Sequence, residues 1–247
     1  VVDGYFKTDE EARNYKVDQS FVNQMINASA LDNGLHAGDL KFVDLDGNNK
    51  IEQTTSANDR KDMKVIGNSL PRYNYNFGIS ADWYGIDFSV LFQGIGKQNW
   101  YPGAETSMFW GPYSRPYASF IPSDFMSQVW SEENTNAYFP RPRGYVALGS
   151  NRELAVVNTK YLQNLAYCRL KNLSIGYTLP DKWLSKIGFE KIRVYFSGEN
   201  LLTFTKLHSD YIDPEQASAS NSWKTSKSDA NIYPWAKTYS FGVDITF

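Results

Sequence analysis

One cysteine, two histidines and a net charge of -2 remove several large classes of function from a chain of 247 residues. Cys168 alone excludes an internal disulfide, and in a strand-like stretch its plain reading is a small buried side chain. His36 and His208 lie far apart without cysteine or carboxylate companions, so neither makes a zinc site. The near-balanced charge gives no electrostatic case for nucleic acid or an anionic surface. There is no Gly-x-Ser-x-Gly turn, no phosphate loop and no histidine beside a serine or cysteine pair. Glu132 and Glu133 do not serve as a glycosidase pair, because adjacent side chains of a strand point apart. These absences predict a chain that is not an enzyme. No run approaches the roughly 18 apolar residues of a transmembrane helix, but alternating membrane strands average out of such a count and stay open.

What the chain has in excess is aromatic residues, at 16% of the sequence. That density suits β-structure, interfacial girdles or sugar-stacking surfaces. The last eleven residues show how it is used. Tyr239, Phe241, Val243, Ile245 and Phe247 share one face at period two, and Thr238, Ser240, Gly242, Asp244 and Thr246 share the other. An alternating strand ending on Phe fits the lipid-facing last strand of a barrel better than the frayed polar end of a soluble chain.

Four more segments repeat the pattern. Tyr73 to Trp83 and Ile86 to Phe92 alternate on either side of a tight Tyr84-Gly85 turn and make a hairpin. Leu173, Ile175, Tyr177 and Leu179 share a face of 169–179, and Ile192, Val194 and Phe196 share a face of 191–200. The connection at 180–190 has room for one helical turn stopped by Gly188. Connections thus alternate in length: short at 84–85 and 180–190, long at 1–71, 96–160 and 203–236. Short periplasmic turns and long external loops produce this asymmetry in a membrane barrel. The spacing predicts an all-β chain of about five antiparallel strands, divided as an external segment 1–71, a hairpin 72–95, an external loop 96–160, a hairpin 161–202, an external loop 203–236 and a terminal strand 237–247. Five strands do not close a barrel, and an open edge is not tolerated in hydrocarbon, so the expectation is a C-terminal part of something larger.

Two constellations carry candidate chemistry. Asp44, Asp46, Asn48 and the carbonyl of Lys50 follow the spacing of an EF-hand calcium loop, which supplies an oxygen at every second residue. Asn49 stands where that loop wants Gly, and Thr55 where it wants a bidentate Glu. Asp59 is therefore taken as the closing ligand, with Asp62 as its substitute. The opposing reading is a polar turn bonded to its own backbone. The second constellation is the loop 96–160, whose rings are interleaved with prolines. Flat rings with polar tips suit sugar faces and protein interfaces, and Trp100, Trp110, Tyr113 and Arg115 are the candidates for ligand or partner contact. Packing of the same rings into a core for so long a loop is the competing expectation.

In order along the chain, Gly38-Asp-Leu-Lys-Phe-Val-Asp-Leu-Asp-Gly47, Val65-Ile-Gly-Asn68 with Pro71-Arg-Tyr73, Phe92-Gln-Gly94, Tyr167-Cys-Arg-Leu-Lys-Asn-Leu-Ser-Ile-Gly-Tyr-Thr-Leu-Pro180, Arg193-Val-Tyr-Phe-Ser-Gly-Glu-Asn-Leu201 and Tyr239-Ser-Phe-Gly-Val-Asp-Ile-Thr-Phe247 resemble the C-terminal region of the SusC/RagA class of TonB-dependent transporters. The resemblance implies a barrel of the 22-stranded, plugged kind, of which this chain supplies about the last five strands. It also implies a Bacteroidota outer membrane as the location, with long loops external and the C-terminus periplasmic. The implied partners are a SusD-class surface lipoprotein acting as a lid, TonB, and an N-terminal part carrying plug and earlier strands. The implied solute is a glycan or, in RagA-like members, a peptide. Gly242, Ile245 and Phe247 resemble the signal read by the outer-membrane assembly machinery. A soluble β-sandwich that binds carbohydrate remains the alternative from another class.

Overall fold

The computed structural model describes residues 1–22, 34–114, 121–149, 152–186, 188–220, 227–228 and 233–247. Its elements, in order, are β1 (Val2–Tyr5), α1 (Asp9–Arg13), β2 (Leu40–Phe42), β3 (Arg72–Trp83), β4 (Ile86–Lys97), β5 (Asn99–Pro102), α2 (Ser107–Trp110), β6 (Gln163–Asn164), β7 (Tyr167–Thr178), α3 (Asp181–Leu184), β8 (Lys191–Thr205), α4 (Pro214–Ser220), β9 (Lys227–Ser228) and β10 (Thr238–Thr246), with three short 3-10 turns between α2 and β6. The fold is all-β, and among the described residues no helix is long and apolar enough to cross a membrane, which says nothing of strands. Two compact units share the chain: one of Val1–Asn68, Trp100–Gln163 and Ser220–Asn231, the other of Ser69–Asn99, Asn164–Ala219 and Ile232–Phe247.

The second unit is built on one five-stranded sheet with the order β10-β8-β7-β4-β3, so its strands pair as neighbours in sequence. All of these pairings are antiparallel. The β3–β4 turn puts both Tyr84 (φ 47°) and Gly85 (φ 83°) in the left-handed region, the two-residue hairpin turn whose twist matches its strands. Between β7 and β8 the expected helical turn is α3, and Gly188 follows it at φ 78°.

One feature of this sheet was not in the period-two pattern. Leu170 and Leu173 cannot share a face in a regular strand, yet Leu170 pairs with Phe92 and Leu173 with Val90, both on the apolar side. The register shifts between Leu91 and Phe92 on one side of β7, and between Leu170 and Asn172 on the other. Lys171 is the residue left over, a β-bulge that restores the phase. On β8 the same place holds Asn200 in the left-handed region at φ 53°.

The first unit is a packed loop domain. Thr8 caps α1, its Oγ1 accepting from the Glu11 amide, while Glu11 Oε2 accepts from the Lys7 amide. β1 pairs with β2, and β5 runs parallel to β9 through Tyr101 and Pro102. Its interior is aromatic: Trp100, Tyr101, Phe109, Trp110, Tyr113 and Phe139 are all fully buried.

Candidate functional site

The sheet of the second unit keeps two chemistries on two faces. On one, Ala81, Phe88, Ile175, Phe196 and Phe241 form a single row across all five strands. Beside it run Ile79, Val90 and Leu173, and on the other side Trp83, Ile86, Tyr177, Val194 and Val243. The opposite face carries a row of serines, Ser80, Ser89, Ser174, Ser197 and Ser240, again one per strand. Tyr75, Phe88, Ile175, Val194 and Phe241 are 36%, 36%, 42%, 42% and 83% exposed, so no enclosed core takes them in. A β-sandwich would cover this face. Large rings mark its ends: Trp83, Tyr84 and Phe247 at the turn end, Tyr73 and Tyr239 at the other, all exposed. Ten residues separate Tyr73 from Trp83, about 33 Å of strand, or about 25 Å of height at a tilt near 40°, the band an outer-membrane barrel presents to lipid.

Charges sit on the serine face. Arg193 donates to both oxygens of Asp87 at 2.8 and 2.6 Å and to Asp244 at 3.2 Å. Asp87 belongs to β4 and Arg193 to β8, so the pair passes over β7 at Gly176. A Cβ on Gly176 would stand 2.4 Å from Asp87 Oδ1, which makes glycine a requirement there. Gly242 has a similar reason, since its Cβ would lie 2.3 Å from the Tyr195 ring that covers it. Ile245 pairs with Ile192, and the Phe247 ring stands 5.2 Å from Phe189 while remaining 81% exposed. Toward the long-segment end the same face opens into a groove of about 840 Å³ lined by Asn74, Asn76, Gln93, Tyr167 and Glu215 among others.

In the first unit, the acidic loop has the backbone of an EF-hand turn. Asp44 accepts from the amides of Gly47 and Asn49, both at 2.7 Å, and Asp46 from that of Asn48 at 3.1 Å. Asn49 takes φ 63°, the left-handed conformation its position demands. Desolvation alone would push the Asp44 carboxyl up; the amides of Asn49 and Gly47 outweigh it and hold the carboxyl below its ordinary value. The closing residue is corrected: Asp44, Asp46 and Asp62 each bring a carboxylate oxygen within 4.8 Å of one another, and Asp59 is not among them. Asp59 is occupied by Lys61, accepting from its amide at 3.4 Å and pairing with its ammonium at 3.5 Å. Asp62 instead bridges the loop, accepting from Leu45 and Glu52 amides at 2.7 Å each. Asn48 Oδ1 accepts from the Lys50 amide. Three hard anionic oxygens suit a divalent ion such as calcium.

Trp100, Trp110 and Tyr113 have no face for a ligand. Their exposures are 1%, 0% and 1%. Trp110 Nε1 donates to the Gly103 carbonyl at 2.9 Å, and its ring meets Phe109 edge-on at 4.8 Å and Tyr161 at 5.2 Å. Tyr113 donates to the Pro140 carbonyl and stacks on Phe139 at 5.9 Å. The contact assignment for these three is therefore replaced by a packing role: a long loop segment buries its own rings to become rigid. Arg115 lies outside the described residues. Tyrosine hydroxyls inside this core lose water, which pushes Tyr138 up to about 12. Sequence reasoning also missed a buried ionic knot. Asp39 accepts from Arg141 at 2.5 Å and Arg143 at 2.8 Å, and Arg143 reaches Glu153 at 3.3 Å. No spacing signal marks residues brought together from over 100 positions apart.

No family model matches the chain. Among curated proteins it is similar to TonB-dependent receptor P3 of Formosa agariphila, 32% identical over 212 residues, covering 83% of this chain and 19% of that receptor. TonB-dependent receptor P26 of the same organism is 26% identical over 227 residues, covering 90% of this chain and 21% of the receptor. The chain thus spans about a fifth of the length of the curated relatives it matches. Among solved structures, the RagAB peptide importer in its open-open state aligns with a TM-score of 0.52 at 22% identity, over 79% of this chain and 19% of that one. The closed-closed state gives 0.52 at 23% identity, with the same coverage. At that identity the likeness is one of fold.

Proposed function

The chain is part of a TonB-dependent transporter of the SusC/RagA class, and from that premise we propose that it supplies barrel wall and external loops to an outer-membrane importer of glycans. The observation that carries this reading is the exposed apolar row running unbroken across five strands, backed by serines. A face of that breadth is stable when hydrocarbon covers it, and the polar face then lines a lumen. The two tight connections join strands at one end of the sheet and the long segments join them at the other, which supports a reading with the long segments external and the C-terminus periplasmic. The rest of the barrel and the plug come from an N-terminal part of the same protein, energy comes through TonB, and a SusD-class lipoprotein closes over the loops. Partner contact falls to exposed apolar residues of the loop unit, Met126 and Tyr145 among them, in place of the buried rings.

In the intact transporter, Met126→Asp combined with Tyr145→Asp is expected to reduce co-purification of the lipoprotein several-fold while outer-membrane abundance holds. Unchanged co-purification would remove the loop unit from the lid interface. Deleting the transporter should abolish growth on its glycan; loss of growth on peptides instead would reassign the solute.

The acidic loop is proposed to bind calcium through Asp44, Asp46 and Asp62, since the structure gathers these three carboxylates. Terbium luminescence of the intact protein, competed by calcium, should be lost in Asp46→Asn. An equal signal from Asp46→Asn and wild type would leave only a polar turn.

A further inference from the structure

Arg169, on β7, is 2% exposed although it is a cation on the polar face of the sheet. Its guanidinium is used in three directions: Nε donates to Thr203 Oγ1 at 3.0 Å, one terminal nitrogen to Glu215 at 2.8 Å and the other to Asp213 at 2.6 Å. Lys171 joins from the bulge, its ammonium 3.0 Å from the same Glu215 oxygen and 5.3 Å from the Trp235 ring. Asp213 is itself a hub. Its Oδ1 accepts from the amides of Glu215 and Gln216 at the start of α4, and its Oδ2 accepts from the Trp235 amide at 3.3 Å. Both stems of the long segment between β8 and β10 therefore converge on one buried carboxylate, and that carboxylate is held to the sheet by one arginine. A buried Arg needs such pairing, because its desolvation is compensated only by well-placed anions.

We propose that Arg169 and Asp213 form a clamp that anchors the two stems of this segment to the lumenal face, and that Glu215, held by Arg169 and Lys171, stands there as part of a solute-contact wall. Glu215 is the link between the two roles. It is locked by two cations, and it lines the 840 Å³ groove in which Asn74, Asn76 and Gln93 project from β3 and β4. A carboxylate with its charge already neutralised accepts hydrogen bonds from a neutral, hydroxyl-rich chain without attracting loose cations, and the side-chain amides beside it both accept and donate. Arg169 is a positioning residue, and Glu215 with the amides touches the solute. The bulge at Lys171 has its reason here, since it puts the ammonium beside Arg169 without turning the leucines away from the apolar face.

This inference rests on the importer reading, and the test separates the two. In outer membranes holding the full-length transporter, Arg169→Gln should raise protease cleavage within residues 206–220 and 233–236 about tenfold, with the barrel's heat-modifiable gel shift unchanged. Cleavage at the wild-type rate overturns the clamp, whether or not any solute is transported. Should Arg169→Gln fail to assemble, Asp213→Asn, which leaves the strands untouched, carries the same expectation and the same refutation. Glu215→Gln keeps the Asp213 pair, so cleavage should stay within about twofold of wild type while the half-saturating oligosaccharide concentration for uptake rises several-fold at unchanged maximal rate. An unmoved half-saturation overturns the solute-contact role. Wild-type protein that takes up no oligosaccharide, yet shows the protected segment, would fail the glycan reading and leave the clamp standing.

Discussion

Replacing Val90 with Arg tests the membrane band directly. Val90 is on β4, the second strand in from the β3 edge, flanked by Ile79 on one side and Leu173 on the other. Along β3 the matching row lies about midway between the rings of Tyr73 and Trp83, so it sits near the middle of a band about 25 Å tall. An Arg at the bilayer midplane of a barrel costs about 2–4 kcal/mol, and near the interface about 0–1 kcal/mol. Val90→Arg should therefore destabilise the intact, bilayer-embedded transporter by about 2–4 kcal/mol, a factor of roughly 30 to 900 in the folding equilibrium. Trp83→Arg, on the same face at the turn end, should lose far less through its charge. Urea unfolding in lipid vesicles, followed by tryptophan emission, measures both. The reasoning concerns a gradient with depth, so equal costs at Val90 and Trp83 would refute it. A soluble core over this face would give no such gradient, and a solvated face would give no large cost at either place.

Trp110→Ala should cost the loop unit about 3–5 kcal/mol, the range for emptying a packed Trp site, read as lost protease resistance of residues 100–114 and 121–149; a variant that keeps wild-type resistance would show that the ring is not core. Removing Phe247 should lower outer-membrane abundance several-fold if the exposed terminal ring is an assembly signal, and unchanged abundance leaves it a lipid-facing residue only. Burial pushes the Glu153 carboxyl above its ordinary 4.5, against the pull of Arg143, so the folded chain keeps that proton to higher pH than the unfolded one. Its contribution to stability is present at low pH and is lost as pH rises from about 4.5 through the folded value, so Glu153→Gln should flatten this part of the melting-temperature profile, and an unaltered slope would show that another group titrates.

The sheet was legible because a strand with different media on its two faces writes a period of two into the sequence, and five such segments with alternating connections order themselves. The bulge was half legible. Leu170 and Leu173 fall on opposite parities, and a strand asked to keep both on one side must insert a residue. The acidic loop was readable as far as Asn49, whose left-handed backbone follows from the EF-hand spacing. Which aspartate closes it was not, because Asp59 and Asp62 differ only in where the chain has turned, at Lys61 with φ 49°. Arg169 with Asp213 and Asp39 with Arg143 left no local trace. A buried ion pair is specified by tertiary approach, and one sequence does not reveal which distant charges meet.

The aromatic residues point to the conclusion from two directions. In the loop unit Trp100, Trp110, Phe109 and Phe139 turn inward and lose nearly all exposure, as rings do when water is the alternative. In the sheet unit Phe77, Trp83, Phe241 and Phe247 turn outward and remain 49–83% exposed. Composition does not distinguish the two sets, and neither does propensity, since both units draw on Phe and Trp. What differs is the medium each surface is built to meet. Exposing four large rings on one side of one sheet to water would cost several kcal/mol by the usual transfer scale, and exposing them to lipid costs nothing. The same chain therefore carries a surface built to meet water and a surface built to meet hydrocarbon.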